Sequence, residues 1–187
     1  MSNKPEIEKS YLPSEIEEFR KKLDVGFQFS LDTVILFLLH SDSEPIKGKI
    51  KQMKEVFLTL NQVFKNQNVQ PVHFKKHRYG PYSQAVEHTI DHLVYSNLIS
   101  IRGKKNTNNF AIELTRKGSE WIKDAYQTLP ENIRETLKQK RLRWDTHISQ
   151  GILKLVYRDH EEFLEKSVFK KRYQKLNWND DKQRPLD

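Results

Sequence analysis

Four of the seven histidines fall in pairs spaced i, i+4: His73 with His77, and His88 with His92. On a helix that spacing puts two imidazoles on one face, the start of a metal site, and Asp91 stands beside the second pair. Zinc takes at least three protein ligands, and spacing fixes no third one here. Partly exposed histidines on a polar helix face account for the pairs, so no metal and no cofactor is assigned. They remain available as pH-sensitive contacts. Other catalytic arrangements are weaker still. The six glycines are scattered and form no phosphate-cradling loop. There is no Gly-x-Ser-x-Gly elbow. The chain has no cysteine, which removes thiolate nucleophiles, thiolate metal sites and disulfides. Glu161 and Glu162 lie in a charged helical context and read as a solvated face. An enzyme is not expected.

The second chemically suggestive group is cationic. Arg102, Lys104 and Lys105, interleaved with Gly103, Asn106, Thr107, Asn108 and Asn109, make a donor-rich loop tip, and Arg116 and Lys117 follow at its base. Lys47, Lys49, Lys51 and Lys54 recur along a stretch of helical periodicity and project from its first turns. Clusters of this kind suit phosphate contact. An exposed hairpin tip is also polar for purely structural reasons. The net charge of +8 and pI near 9.5 favour a polyanionic partner without specifying a fold. The excess is uneven: residues 1–26 are net −1, 27–126 net +5 and 127–187 net +4.

The elements that must position these groups follow from periodicity and punctuation. Residues 1–12 are polar. Ser14 to Glu17 resembles a capping box before a short helix that ends near Leu23, and Gly26 then breaks the chain. Ser30 caps a helix whose Leu31, Val34, Ile35, Leu38 and Leu39 form a clean apolar stripe. After the loop from His40 to Pro45, a helix begins at Ile46 with Ile50, Met53, Phe57, Leu60 and Phe64 on one side, and Asn66 to Asn68 ends it. Val72 to Phe74 reads as a short strand that pairs with a hairpin further on. Tyr79-Gly80-Pro81-Tyr82 is a tight turn. The next helix buries Val86, Ile90, Leu93 and Val94. Leu98 to Ile101 and Phe110 to Leu114 are the two strands of the hairpin that carries the basic tip. Thr115 caps the helix that follows. Thr128-Leu129-Pro130-Glu131 signals another helix start, with Ile133 and Leu137 inward. Ile148, Ile152, Leu155 and Val156 mark a further helix with Gly151 as its weak point. Residues 177–187 are a polar tail. Among the tryptophans, Trp121 at helical spacing reads as core, while Trp144 and Trp178 stay undecided between core and base stacking.

On the helix over 83–95, successive steps of 100° place Gln84, His88, Asp91 and Tyr95 on the exposed side, with His92 at its margin. The segment holds Glu87 and Asp91 and no Lys or Arg. Groove-reading helices carry donors for base edges and phosphates. Gln84 and the histidines supply some, whereas Asp91 is repelled by phosphate.

Three stretches resemble the YwgA-like winged-helix family, which is similar to the antitoxin SocA/Panacea domain: Pro45 to Leu58, Tyr79 to Ser83 with Leu93, Leu98 and Ile99, and Leu153 to Ser167. Together they span about residues 30–167. The resemblance implies one continuous architecture and a regulatory or antitoxin-like role; the basic tip is no part of the likeness.

The fold expected is mainly α with a small β-hairpin: a winged helix-turn-helix domain with added N- and C-terminal helices. Its parts are an arm over 1–26, the winged-helix domain over 27–126, a helical extension over 127–176 and a flexible tail over 177–187. The leading function is a cytoplasmic, DNA-binding regulatory protein. Lys47, Lys49, Lys51, Arg102, Lys104, Lys105, Asn106, Arg116 and Lys117 would grip double-stranded DNA, with Gln84 and His88 toward the groove. The alternative is an antitoxin-like or adaptor protein that binds a protein partner through the helix after the Gly-Pro turn, which accounts for Glu87 and Asp91. No apolar run reaches the roughly 20 residues of a membrane helix. The C-terminal helices either pack on the domain or pair two copies as a homodimer.

Overall fold

The computed structural model describes residues 28–42, 44–104 and 110–174; the expected N-terminal arm and tail, Lys105, Asn106 and Trp178 lie outside them. Helix α1 (Leu31–His40) opens the described chain, and the Ser30 hydroxyl accepts from the Thr33 amide as an N-cap. Its apolar stripe is wider than periodicity indicates, because Leu36 and Phe37 are buried along with Val34, Ile35, Leu38 and Leu39. A helix apolar on all sides must be enclosed on all sides. Phe37 stacks on Phe64, and Phe29 meets both rings edge-on.

Strand β1 (Ile46–Lys47) leads into helix α2 (Lys49–Leu58), which continues as a wider π turn over Thr59–Val63. A two-stranded antiparallel ribbon follows, β2 (Lys75–His77) against β3 (Gly80–Tyr82). Helix α3 (Gln84–Tyr95), strands β4 (Ile99–Arg102) and β5 (Ala111–Leu114) and helix α4 (Arg116–Gln127) come next. The larger sheet has the order β1-β5-β4, all antiparallel, with Ile46 opposite Ile112 and Ile99 opposite Leu114. The third strand beside the hairpin is therefore Ile46–Lys47, not Val72 to Phe74, which pairs with no strand among the described residues. The helix expected from Ile46 begins three residues later for the same reason. Tyr79 to Tyr82 is also more than a turn, since Gly80 to Tyr82 pair with Lys75 to His77.

Thr115 caps α4, its hydroxyl accepting from the Gly118 amide while donating to the Asn97 carbonyl. Gly118 explains how closely α4 lies on the hairpin. A Cβ there would stand 1.9 Å from the Leu98 carbonyl oxygen.

Helices α5 (Glu131–Asp145) and α6 (Ser149–Asp159), a 3₁₀ turn (Glu161–Leu164) and the short α7 (Lys170–Tyr173) complete the described chain. The N-cap of α5 is Pro130, without a capping side chain, and Thr128 instead closes α4, donating to the Ala125 carbonyl. These C-terminal helices pack on the preceding ones: Trp144, Leu137, Ile152, Val156 and Tyr157 are buried in the same core as α1 and α2. Trp121 is the reverse case, 57% exposed on α4 rather than in the core. Among the described residues, no helix is long and apolar enough to cross a membrane.

Candidate functional site

Two surfaces and one interior cluster hold the polar residues of interest. The first surface is the outer side of α3. Val86, Ile90 and Leu93 anchor the helix inward, and Gln84, His88, Asp91, His92 and Tyr95 face out. Tyr95 is 92% exposed, the most open large hydrophobic side chain among the described residues. Local bonds order this face. Gln84 lies 3.4 Å from the His88 ring, and His92 Nδ1 lies 3.1 Å from the Asp32 carboxylate on α1. Glu87, at its edge, accepts from the Tyr82 hydroxyl at 2.6 Å and pairs with Lys49 at 2.5 Å. That bond to Glu87 pushes the Tyr82 phenol above its usual pKa. Between α3 and the hairpin runs a shallow groove lined by Lys49, Glu87, Asp91 and Ile101.

The second surface is the base of the hairpin. Arg102 donates to Glu113 across the two strands at 2.7 Å, and Ser100 donates to the same oxygen. Arg116 pairs with Glu120 one helical turn on, and Lys117 donates to the Ser96 carbonyl at the end of α3. Lys104 is exposed. Exposed pairs of this kind contribute about 0–1 kcal/mol, so Arg102 and Arg116 remain exchangeable toward another anion.

The lysines of the α2 stretch do not join this surface. Lys47 is exposed and Lys49 is held by Glu87. Lys51 and Lys54, expected to project outward, are 6% and 2% exposed because α5, α6 and the β2–β3 ribbon cover that side of α2. Lys51 pairs with Glu55 at 3.5 Å and Asp145 at 2.9 Å. Arg141, fully buried, pairs with Glu55 at 3.4 Å and with Asp145, and donates to the Glu44 carbonyl. Two cations and two carboxylates thus close a buried cluster. Burial pushes the Glu55 carboxyl up while Arg141 and Lys51 oppose the rise. The same burial holds Lys51 below its usual pKa. The i, i+4 spacings Lys51/Glu55 and Arg141/Asp145 were visible in the sequence; that they face each other was not.

Lys54 stands apart. Its amine donates to the Pro81 carbonyl at 2.6 Å, and burial lowers its pKa to about 7. Among the histidines, His77 stacks near Tyr82 and His88 and His92 keep to the α3 face. Among the described residues, no three His, Asp or Glu side chains are grouped so as to hold a metal.

Compared with known proteins, the chain matches no family model and no curated protein.

Proposed function

We propose that this is a regulatory protein of winged-helix type that works by binding a protein partner through the exposed face of α3, in the manner of an antitoxin or adaptor. The order helix, strand, helix, two-stranded ribbon, helix, hairpin, with the sheet β1-β5-β4, supports that type of fold. The observation that carries the function is the chemistry of α3: a 92% exposed Tyr95 beside Asp91, on a helix with no Lys or Arg. Tyrosine adds large contact area with a polar tip, which is why it is enriched at protein interfaces. A face that carries Asp and lacks cations is a poor match for phosphate. The partner should offer a recess for the Tyr95 ring and hydrogen-bond donors opposite Asp91.

The test is a comparison of proteins that co-purify with the wild type, Tyr95→Ala, Asp91→Arg and Lys104→Glu. A surface change such as Tyr95→Ala should alter stability by no more than about 0.5 kcal/mol. A partner lost with the two α3 variants and kept with Lys104→Glu supports the proposal. A partner indifferent to both α3 variants overturns it.

DNA binding is the second reading, favoured by the exposed Arg102, Lys104, Arg116 and Lys117 on one hairpin and its following helix. Binding to random duplex DNA that falls steeply with salt and is lost in Lys104→Glu with Lys117→Glu would put this reading first.

A further inference from the structure

Where the start of α2, the β2–β3 ribbon and the α5–α6 turn meet, they line a half-open cavity of about 740 Å³. Neither proposed reading above uses it. That volume lies within the usual range for small-molecule sites, and it far exceeds the space a lone inorganic ion fills. We infer that this cavity is a binding site for a phosphate monoester: a small molecule with one oxyanion and an apolar or aromatic body.

The cationic end is built by α2. Its N-cap is Gly48 at φ 89°, with no capping side chain and no acidic residue in the first turn. Gly48 and the first-turn residues Lys49, Ile50 and Lys51 line the cavity, and no acidic side chain stands in that turn, a setting that favours an anion. A helix start alone is common, and the side chains around this one make the case. Lys54 lines the cavity at 2% exposure. Among the described residues its amine has one acceptor, the Pro81 carbonyl, and no carboxylate. A lysine buried with no counter-ion is costly to the fold unless something supplies the missing charge. His147 also lines the cavity, and its buried Nε2 has no hydrogen-bond partner among the described residues; in the tautomer that carries its proton there, it is a second idle donor. Ser149 Oγ adds a hydroxyl close to Gly48.

Two carboxylates also line the cavity, and both are occupied. Glu87 is held by Lys49 and Tyr82, and Asp145 by Lys51 and Arg141. Among the described residues, the amines on the lining that no carboxylate holds are those of Lys54 and Lys47, and a bound oxyanion would favour the protonated form of Lys54. Tyr79, Tyr82, Met53 and Ile148 also line the cavity and supply apolar surface for an organic body; Ile148 is 75% exposed. The same oxyanion chemistry would serve a carboxylate, so the probes must separate the two.

The experiment is an amide-resolved NMR titration of the full chain with phenyl phosphate, inorganic phosphate and benzoate. The proposal expects phenyl phosphate to bind more tightly than inorganic phosphate and benzoate, with the largest shifts at the Lys49, Ile50 and Lys51 amides. Lys54→Met should weaken phenyl phosphate at least tenfold. Lys47→Glu, at an exposed rim position that leaves folding unaffected, should weaken it several-fold. The inference is overturned if none of the three binds at millimolar concentration, if benzoate binds and the phosphates do not, if shifts fall on the hairpin instead, or if Lys47→Glu leaves affinity unchanged.

Discussion

Replacing Lys54 with methionine should make the protein more stable near neutral pH and remove part of its pH dependence. In the folded chain the Lys54 amine titrates at about 7, against 10.5 for an ordinary lysine, because it is buried. Between those pH values the unfolded chain holds a proton that the folded chain has released. Stability therefore rises with pH across this window, by up to about 1.4 kcal/mol per pH unit. Below it the full penalty is present, on the order of 4–5 kcal/mol. Methionine fills nearly the same volume without charge. It forfeits the hydrogen bond to the Pro81 carbonyl, leaving a buried acceptor unmet at a cost of about 1–3 kcal/mol. Near pH 6.5 the variant should thus be more stable by about 2–3 kcal/mol, and near pH 9.5 the two should be about equal. Urea unfolding of both proteins at several pH values measures the difference, in which all other titrating groups cancel. Parallel stability curves, with Lys54→Met weaker at every pH, would refute the reasoning that Lys54 sits uncompensated in the interior.

Further expectations concern the groups that set the architecture. Arg141→Met leaves Glu55 buried without its guanidinium and should cost about 3–5 kcal/mol in denaturant unfolding, whereas the double change with Glu55→Leu should recover much of that loss. Gly118→Ala drives a methyl into the Leu98 carbonyl, so α4 must shift from the hairpin; a loss of about 1–3 kcal/mol is expected, and an unchanged melting temperature would show that the close approach is absent. Thr115→Ala removes the cap of α4 and should cost about 1 kcal/mol by the same measurement.

How far the sequence could be read depended on which signal each element carries. Ser30, Thr115 and the outer face of α3 were legible because caps and helical periodicity are local properties, and each has its expected place. The hairpin was legible from its apolar runs around a polar tip. Its third strand was not. Ile46–Lys47 is two residues long, too short for any alternation to show, and is selected by its register against Ala111 and Ile112. Val72 to Phe74 looked more like a strand and pairs with none among the described residues. Lys51 and Lys54 misled for a different reason. Lysine along a helix ordinarily marks a solvated side, yet here α5 and α6 return from about ninety residues away to cover it, as Lys51 with Asp145 shows. Trp121 failed in the opposite direction: its spacing fits a helix, yet among the described residues its neighbours leave it 57% exposed. Lys105 and Asn106 of the hairpin tip, and Trp178, lie outside the described residues.

The central claim is that α3 presents a protein-binding face, and site-specific photo-crosslinking tests it most directly. A diazirine amino acid is placed at Tyr95, with a control at Lys138 on the exposed side of α5, and the protein is irradiated in its native cells. An adduct is expected from position 95 that resists nuclease, is destroyed by protease, and is suppressed by Asp91→Arg. A nuclease-sensitive adduct, or one equally strong from position 138, would contradict it.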